Sequence, residues 1–314
     1  MKRRDFIGSV AAAALLPLGG GRAAAAAGGV PAIDTHTHFY DPTRPQGVPW
    51  PKPSEKFLYA PFLPERFRSV TAGLNVVGTV VVEASPWVED NQWLLDLAKS
   101  TPEIVAIMGN LKVGQPEFAA QLARFSANPL FRGLRVGLEA VQDQDNPAVK
   151  ADLTRLADAG LALDVIGRGP MLDPLARLAR AWPTLRIIVN HLPFPEWDGK
   201  VPELRSALAG VGRCPNVFAK ISDVVRRIGD RVIDDPAFYR PALDALVDTF
   251  GPDRIVHGTN WPVSERVAPY ATVHRIVADY FASKEPALAE RYFWRNSWTA
   301  YRWVRRGAAA QLPP

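Results

Sequence analysis

The sequence predicts an α/β protein with a (β/α)₈ barrel, the TIM-barrel fold. After residue 30, eight short runs of apolar and β-branched residues alternate with amphipathic stretches such as EDNQWLLDLAKS and VKADLTRLADAG. Apolar strands that alternate with helices indicate a parallel sheet covered by helices. Eight such units in about 250 residues fit a closed barrel. An open, doubly wound sheet is the alternative, which the absence of a glycine-rich phosphate loop after the first strand disfavours.

The predicted strands follow directly from the apolar runs. In chain order they span residues 32–39, 76–84, 104–113, 131–139, 162–169, 185–192, 216–225 and 254–262. The last segment, 286–306, is rich in Trp and Arg and is predicted to form one or two closing helices. No internal repeat or composition break interrupts this pattern, so residues 30–314 are predicted to form a single domain.

The composition is that of an ordinary soluble globular protein. Of the 314 residues, 47% are apolar and 22% are charged, which allows a sizeable core. The formal net charge of +5 comes largely from the first 29 residues, and the remainder is close to neutral. We therefore expect neither a nucleic-acid partner nor attraction to an anionic membrane. Cys214 is the only cysteine, so no disulfide can form within one chain.

Residues 1–29 are predicted to be an export signal. They combine a basic start, a short apolar run at 10–18 and an alanine-rich stretch suited to cleavage. The motif RRDFI at 3–7 resembles a twin-arginine signal. We therefore expect a periplasmic or secreted protein with no membrane span after cleavage. An ordinary secretory signal and an uncleaved anchor are the alternatives.

Polar side chains collect near the ends of the predicted strands, where a (β/α)₈ barrel carries its chemistry. Three of the five histidines stand at such ends. His36 and His38 are two residues apart in DTHTH on the first strand, so both imidazoles face the same side. At the barrel mouth, two neutral imidazoles could jointly hold one divalent cation. Alternatively, they could form a hydrogen-bonded structural pair.

Four motifs, in this order along the chain, resemble the amidohydrolase-2 family: IDTHTHFYDP, FRGLRVGLE, LRIIVNHLPFPEW and HGTNWPV. More narrowly, they resemble its lactonase-type members, which open sugar or muconate-like lactones. The resemblance covers nearly the whole chain after the signal. It implies a (β/α)₈ barrel with His36, His38 and His191 around the site. Some members hold one zinc or manganese ion there and others work without a metal, so both alternatives stay open.

Asn260 departs from the family pattern. The usual sequence at this point is Ser-Asp-Trp-Pro, whose aspartate takes a proton from the attacking water, whereas this chain reads TNWP at 259–262. An amide carbonyl can orient a water molecule, but it cannot act as a general base. General base assistance is typically worth about 10²–10⁴ in rate, so its loss without replacement would matter.

Three explanations of Asn260 are open from the sequence. In the first, Glu83 at the end of the second strand is a relocated base, although it could instead be a salt-bridged or loop-capping carboxylate. In the second, a metal held by His36, His38 and His191 lowers the pKa of bound water towards about 7. In the third, hydrolysis is lost and the barrel binds a ligand.

Basic residues on the later strands indicate the charge of the substrate. Arg135, Arg168 and Lys220 are predicted to form a positive floor for a carboxylate-bearing substrate. Each could instead pair with an acidic residue, the candidates being Glu139, Asp164 and Asp223. The GLR around Arg135 resembles the family's substrate-contacting arginine. Trp261 follows Asn260 directly and is predicted to line the site or pack beneath it.

The predicted function is an exported hydrolase of the amidohydrolase-2 type that opens a lactone of a sugar acid or another carboxylate-bearing small molecule. Asn260, Glu83 and His191 are the predicted catalytic residues. A non-catalytic periplasmic binding barrel and a metal-dependent decarboxylase on the same scaffold are the alternatives. The expected partner is a small-molecule substrate, and a homo-oligomer is compatible with the sequence.

Overall fold

Eight parallel strands in chain order form a nearly closed barrel with helices between them, which confirms the predicted (β/α)₈ fold. The computed structural model describes residues 29–166, 169–194, 197 and 200–313. The strands are β1 (Ala32–Thr37), β2 (Val76–Val82), β3 (Ile104–Gly109), β4 (Phe131–Val136), β5 (Ala162–Val165), β6 (Arg186–Leu192), β7 (Val217–Ile221), β8 (Arg226–Ile228), β9 (Arg231–Ile233) and β10 (Ile255–His257). Strands β1 to β7 and β10 form the barrel, and β8 pairs with β9 in a separate hairpin.

The helices cover the outside of the barrel. They are α1 (Pro64–Thr71), α2 (Val88–Ser100), α3 (Phe118–Ser126), α4 (Leu138–Gln142), α5 (Pro147–Asp158), α6 (Leu172–Ala181), α7 (Val201–Gly212), α8 (Pro236–Phe250), α9 (Tyr270–Ala282), α10 (Pro286–Glu290) and α11 (Asn296–Tyr301). Several begin with proline, whose fixed φ suits the first turn. Asn146 and Asp235 cap α5 and α8 by accepting a hydrogen bond from the backbone N–H two residues on. In the part of the chain that the structure describes, no helix is long and apolar enough to cross a membrane.

The strands are apolar on both faces because both faces are covered. On β2, Val80 and Val82 belong to the cluster inside the barrel, whereas Val81 belongs to the cluster beneath the helices. This alternation follows from the two-residue period of a strand. It explains why the strands read as continuous apolar runs rather than as alternating ones.

The C-terminal segment closes the floor of the barrel. Trp303, Ala309 and Leu312 belong to the inner cluster, and the Val304 N–H donates to the carbonyl of Val105 at the start of β3, 2.8 Å away. The predicted closing helices are confirmed as α10 and α11, joined by one π-helical turn, Arg291–Arg295. The amino-terminal ends of the strands are therefore sealed, and the opposite ends are left for chemistry.

The predicted strands run past the observed ends, and the reason lies in the backbone. His191, Asp223 and Asn260, near the carboxyl ends of β6, β7 and β10, have φ values of 61°, 53° and 65°. A left-handed residue breaks the regular extended conformation, so β7 and β10 end before Asp223 and Asn260, whereas β6 is irregular at His191, one residue before its end. His, Asn and Asp are the side chains most often found in this conformation apart from glycine. The prediction that residues 216–225 form one strand is wrong: β7 ends at Ile221, and the β8–β9 hairpin follows.

The first and last barrel strands are joined by the buried side chain of Asp34 and by a few other hydrogen bonds rather than by a regular ladder. The Asp34 carboxylate accepts hydrogen bonds from the backbone N–H and the hydroxyl of Thr259. It also accepts from the Tyr270 hydroxyl and the His36 N–H, each at 3.0 Å. Burial raises the pKa of Asp34, and these hydrogen bonds oppose the rise. Backbone bonds from His38 N–H to the Trp261 carbonyl and from Asn260 N–H to the His36 carbonyl complete the closure.

Gly133 on β4 lies where the neighbouring strand leaves no room for a side chain. A Cβ added there would lie 2.1 Å from the Ala162 carbonyl oxygen on β5. The oxygen cannot move without disturbing the strand pairing, so we expect Gly133→Ala to lower the free energy of unfolding by at least about 1–3 kcal/mol. Urea unfolding followed by circular dichroism measures the change.

Gly210 in α7 provides the matched control. A Cβ added there would meet its nearest neighbours at 3.8 Å, an ordinary contact. Because alanine suits a helix interior better than glycine, we expect Gly210→Ala to raise the free energy of unfolding by about 0.5–1 kcal/mol. Equal urea midpoints for the two variants would contradict the close approach of β4 and β5.

Candidate active site

Three imidazoles meet at the carboxyl-terminal end of the barrel. His36 and His38 come from β1 and its end, and His191 comes from β6. The His36 ring centroid lies 5.0 Å from that of His38 and 4.5 Å from that of His191. Burial and nearby positive charges, with Lys220 and Arg135 the main side chains, lower the pKa of all three, that of His38 to about 3. The three rings are therefore neutral at physiological pH.

Hydrogen bonds give His36 and His38 opposite roles. Burial lowers the pKa of Lys220, but its ion pair with Asp164 at 2.6 Å opposes this and favours the ammonium form. Lys220 Nζ lies 3.5 Å from His36 Nδ1, and an ammonium can only donate, so this contact favours the His36 tautomer with its proton on Nε2. His38 Nδ1 lies 2.7 Å from the Val82 carbonyl oxygen, which can only accept, so His38 carries its proton on Nδ1. His36 thus presents an N–H donor and His38 an acceptor. In the described residues, His36 Nε2 is buried without a partner.

Lys220 and Asp164 form a fully buried ion pair beneath the histidines. Their Nζ–Oδ2 distance is 2.6 Å, and the Tyr301 hydroxyl donates to the other carboxylate oxygen at 2.8 Å. The pairing with Asp164, one of the alternatives for Lys220, is therefore present. Lys220 is in contact with His36 rather than on the surface of a cleft. Its predicted contact with a substrate stays a prediction.

Arg135 is a positive group at the mouth of the barrel. It is half-buried and lines a cleft of about 660 Å³ together with Asn110, Lys112 and Glu139. Burial lowers the pKa of Arg135, and Glu83 and Asp164 oppose this by charge attraction without a hydrogen bond. Its guanidinium is therefore available to a carboxylate or hydroxyl of a bound molecule. Arg168 lies outside the described residues.

Asn260 and Trp261 share a turn but occupy different environments. The Asn260 amide lies beside His38, whose pKa it raises in part, and beside Asp223, whose pKa it lowers in part. The Trp261 side chain is 0% exposed and packs against Phe39 and Phe67, with ring centroids 5.9 and 5.4 Å away. Trp261 therefore supports the turn from behind, and its predicted contact with a substrate stays a prediction.

Glu83 is buried in the wall between the loop after β1 and the start of α2. One carboxylate oxygen accepts from the Ser85 N–H at 2.6 Å, and the other has no partner in the described part of the chain. Burial raises its pKa to about 7, and the Ser85 N–H opposes this rise. It shares a narrow crevice with Arg44 and Asp90. Glu83 thus has the pKa of an acid–base group but is not the carboxylate beside Asn260.

The donor set does not fit a resident metal ion. With its proton on Nε2, His36 would have to move that proton to Nδ1, towards the Lys220 ammonium, before Nε2 could bind a metal. Arg135 adds a positive charge, and Asn260 brings none of the negative charge that an aspartate would supply. Among residues 29–166, 169–194, 197 and 200–313, no three His, Cys, Asp or Glu side chains are placed to hold a metal. Metal binding by His36, His38 and His191 therefore stays a prediction.

The sequence offers Asp164 only as a possible partner of a basic residue and Ser222 only as a polar residue near the end of a strand, and it does not indicate Tyr301. Asp164 and Tyr301 hold Lys220, and Ser222 Oγ lies 3.0 Å from His191 Nδ1. The available signal was Asp164 itself, an isolated carboxylate within the apolar strand ALDV. A charge in such a strand is compatible with burial only when it is paired.

Known proteins resemble this chain over most of its length. A family model described as amidohydrolase matches residues 33–303. An L-fucono-1,5-lactonase from Burkholderia ambifaria is 30% identical over 74% of this chain and 80% of that protein. A second protein of that name, from Burkholderia multivorans, is 25% identical over 85% of this chain and 94% of that protein. A crystal structure of an amidohydrolase from Burkholderia multivorans with bound zinc has a TM-score of 0.77 at 22% identity, over 87% of this chain and 99% of that one.

The ion pair beneath the histidines should contribute to stability only while both partners are present. In Lys220→Met, the Asp164 carboxylate is left buried without its cation, so we expect the free energy of unfolding to fall by about 3–5 kcal/mol. Adding Asp164→Asn removes the unpaired buried charge and should restore much of the lost free energy of unfolding. Guanidinium unfolding of both variants measures this, and a double variant no more stable than Lys220→Met would contradict it.

Glu83 should make stability depend on pH. Because its pKa is raised to about 7 in the folded state, the folded protein holds the proton more tightly than the unfolded chain does. Stability is therefore lost as the pH rises from about 4.5 to about 7. Glu83→Gln cannot ionise, so relative to the wild type it should gain on the order of 3 kcal/mol between pH 4 and pH 8.

Urea unfolding at the two pH values measures this gain. The exposed Glu117, changed to Gln, is the matched control, because it also removes one carboxyl group but does so at the surface. An equal response of the two variants would show that Glu83 ionises as freely as a surface carboxyl.

Proposed function

The chain belongs to the amidohydrolase family, and on this basis we propose that it opens the ring of a sugar-acid lactone by hydrolysis. The family and its lactonase-named relatives make it a hydrolase of the lactonase type. The sugar acid as substrate is the proposed part. It is supported by two relatives named L-fucono-1,5-lactonase, which match 80% and 94% of their own lengths.

The observation that carries this proposal is the pair of opposed imidazoles beside an unpaired arginine. A lactone carbonyl needs a donor at its oxygen, and the attacking water needs an acceptor. His36 Nε2–H and His38 Nε2 offer these two groups from one strand, with ring centroids 5.0 Å apart. The donor is buried, so its interaction with a developing oxyanion is not weakened by solvent.

The remaining groups have roles in orientation. Lys220 holds the proton of His36 on Nε2, and Asp164 and Tyr301 keep Lys220 in place. Arg135 binds a hydroxyl or carboxylate of the substrate in the adjoining cleft. His38, with a pKa of about 3, is too weak a base to keep the proton of the water. It orients the water, and a carboxylate must accept the proton.

Export is a separate part of the proposal. The RRDFI motif at 3–7 supports delivery of a folded protein to the periplasm or the cell exterior. These residues lie outside the described part of the chain. A periplasmic lactonase would act on lactones formed or taken up outside the cytoplasm.

The experiment follows proton release with a pH indicator as lactones are hydrolysed. The mature protein is given sugar 1,5- and 1,4-lactones and dicarboxylate lactones, each with and without a chelator. We expect turnover of sugar 1,5-lactones that survives chelation, because the donors do not fit a resident metal. Arg135→Gln should raise KM for the best lactone, with a loss in kcat/KM of about tenfold to a hundredfold for one charge-assisted hydrogen bond.

Other outcomes would redirect the proposal. Turnover lost with chelator and restored by zinc or manganese would make the three histidines metal ligands. Release of carbon dioxide from aryl carboxylic acids, with no lactone hydrolysis, would favour the decarboxylase alternative. Tight binding of a sugar acid with no turnover of any lactone would favour a binding barrel.

A further inference from the structure

Asp223 is a carboxylate that the Asn260 amide contacts. It follows β7, whose neighbour in the barrel is β10, and the pairing of Ile221 with His257 brings the two strand ends to the same height. Asp223 therefore begins its loop beside Asn260. Both residues have left-handed φ values, 53° and 65°. This conformation is uncommon for residues other than glycine and occurs most often at turns and functional sites.

The amide of Asn260 connects Asp223 to the histidines. It lies beside the Asp223 carboxylate on one side and the His38 ring on the other. An amide N–H can donate to a carboxylate, whereas an aspartate at position 260 would place a second negative charge against the first. Asn260 and Asp223 together therefore carry the single negative charge that one aspartate at position 260 would supply.

We propose that Asp223 is the general base of the reaction and takes the proton of the attacking water in place of a carboxylate at position 260. The inference rests on the proposed lactone hydrolysis. It assigns Asn260 a positioning role, in which its amide holds the Asp223 carboxylate beside the water. It also accounts for the asparagine, since the base has moved to the neighbouring strand end.

The step balances as an ordinary ester hydrolysis. The water oxygen forms a bond to the lactone carbonyl carbon, one water proton moves to Asp223, and the carbonyl π electrons move to the carbonyl oxygen near His36 Nε2–H. When that carbonyl forms again, the ring C–O bond breaks. The leaving oxygen takes the proton from Asp223, which returns to its anionic form. The product is a hydroxy acid, and no other reactant is needed.

The surroundings of Asp223 suit a base that works near neutral pH. Burial raises its pKa, and the charges of Arg226 and Arg266 and the Asn260 amide lower it in part. The Arg226 guanidinium binds the backbone carbonyls of Asp223, Pro193 and Phe194, so it ties the ends of β6 and β7 together. Asp223 is only partly buried, so water can reach it.

The test exchanges the two side chains. Asp223→Asn removes the base without changing the shape or the preference for a left-handed φ, so the protein should fold with an unchanged thermal midpoint. We expect kcat/KM for the best sugar lactone to fall by about 10²–10⁴. The double variant Asp223→Asn, Asn260→Asp puts the carboxylate on the other side of the pair, and it should recover at least about tenfold of that loss.

The pH dependence separates a base from a structural residue. In the wild type, kcat/KM should rise with pH as Asp223 loses its proton. This rise, the acid limb of the pH profile, should be absent in Asp223→Asn. The limb should return in the double variant. A second variant, Asp223→Gly, also suits the backbone, and added formate should restore part of its activity by replacing the missing carboxylate.

Several outcomes would overturn the inference. The first is an Asp223→Asn variant that keeps more than about a third of wild-type kcat/KM. The second is an Asp223→Asn variant whose kcat/KM still rises with pH as the wild type's does. The third is a loss of activity that neither the double variant nor added formate restores. A large loss in Glu83→Gln with little loss in Asp223→Asn would assign the base to Glu83 instead. Absence of lactone turnover by the wild type would overturn the proposed function and this inference together, whereas the other outcomes leave the lactonase intact.

Discussion

The closure of the barrel between its first and last strands is the constraint on which the site depends. β1 brings His36 and His38, and the chain after β10 brings Asn260, so the site exists only while these strands stay together. No regular ladder joins them. A single buried carboxylate, Asp34, collects donors from both strands and from Tyr270 on α9. A buried carboxylate with several good donors is stable, whereas one left without donors is costly, so this junction favours one geometry strongly.

The charged and neutral groups of the site lie at different depths in the barrel. At the bottom, Lys220 and Asp164 neutralise each other out of contact with solvent, and their role is to fix a tautomer. Above them lie imidazoles that burial keeps neutral. At the mouth lies Arg135, a cation that has no hydrogen-bonded carboxylate among the described residues. A molecule that enters the barrel therefore contacts Arg135 first and the His36 N–H donor afterwards. This order favours a substrate with an electronegative group at some distance from its reactive carbonyl.

The sequence was sufficient for the fold because its signals are local. All eight predicted barrel strands begin within one residue of the observed starts, since apolar runs mark where chains enter a barrel wall. Most predicted strand ends lie beyond the observed ones, and at β7 and β10 the reason is a following residue with a left-handed φ, which the apolar pattern does not reveal. The histidine cluster was predictable from DTHTH. The choice of Asp164 among the possible partners of Lys220 and the position of Glu83 were not, because both depend on how deep a side chain lies in the barrel and on which neighbour reaches it.

The floor formed by the C-terminal segment has a consequence for how the protein is made. Trp303 and Leu312 pack in the same core cluster as Ile33. Asp34 accepts a hydrogen bond from Thr259, which is 225 positions later in the chain. Such long-range contacts slow folding, because the entropy of closing large loops is lost before the contacts form. During synthesis the ribosome therefore has to release the chain through Thr259 and the C-terminal segment before the barrel can close. Until then the emerging chain exposes unpaired strand edges, so chaperones that shield nascent chains would act on it throughout translation.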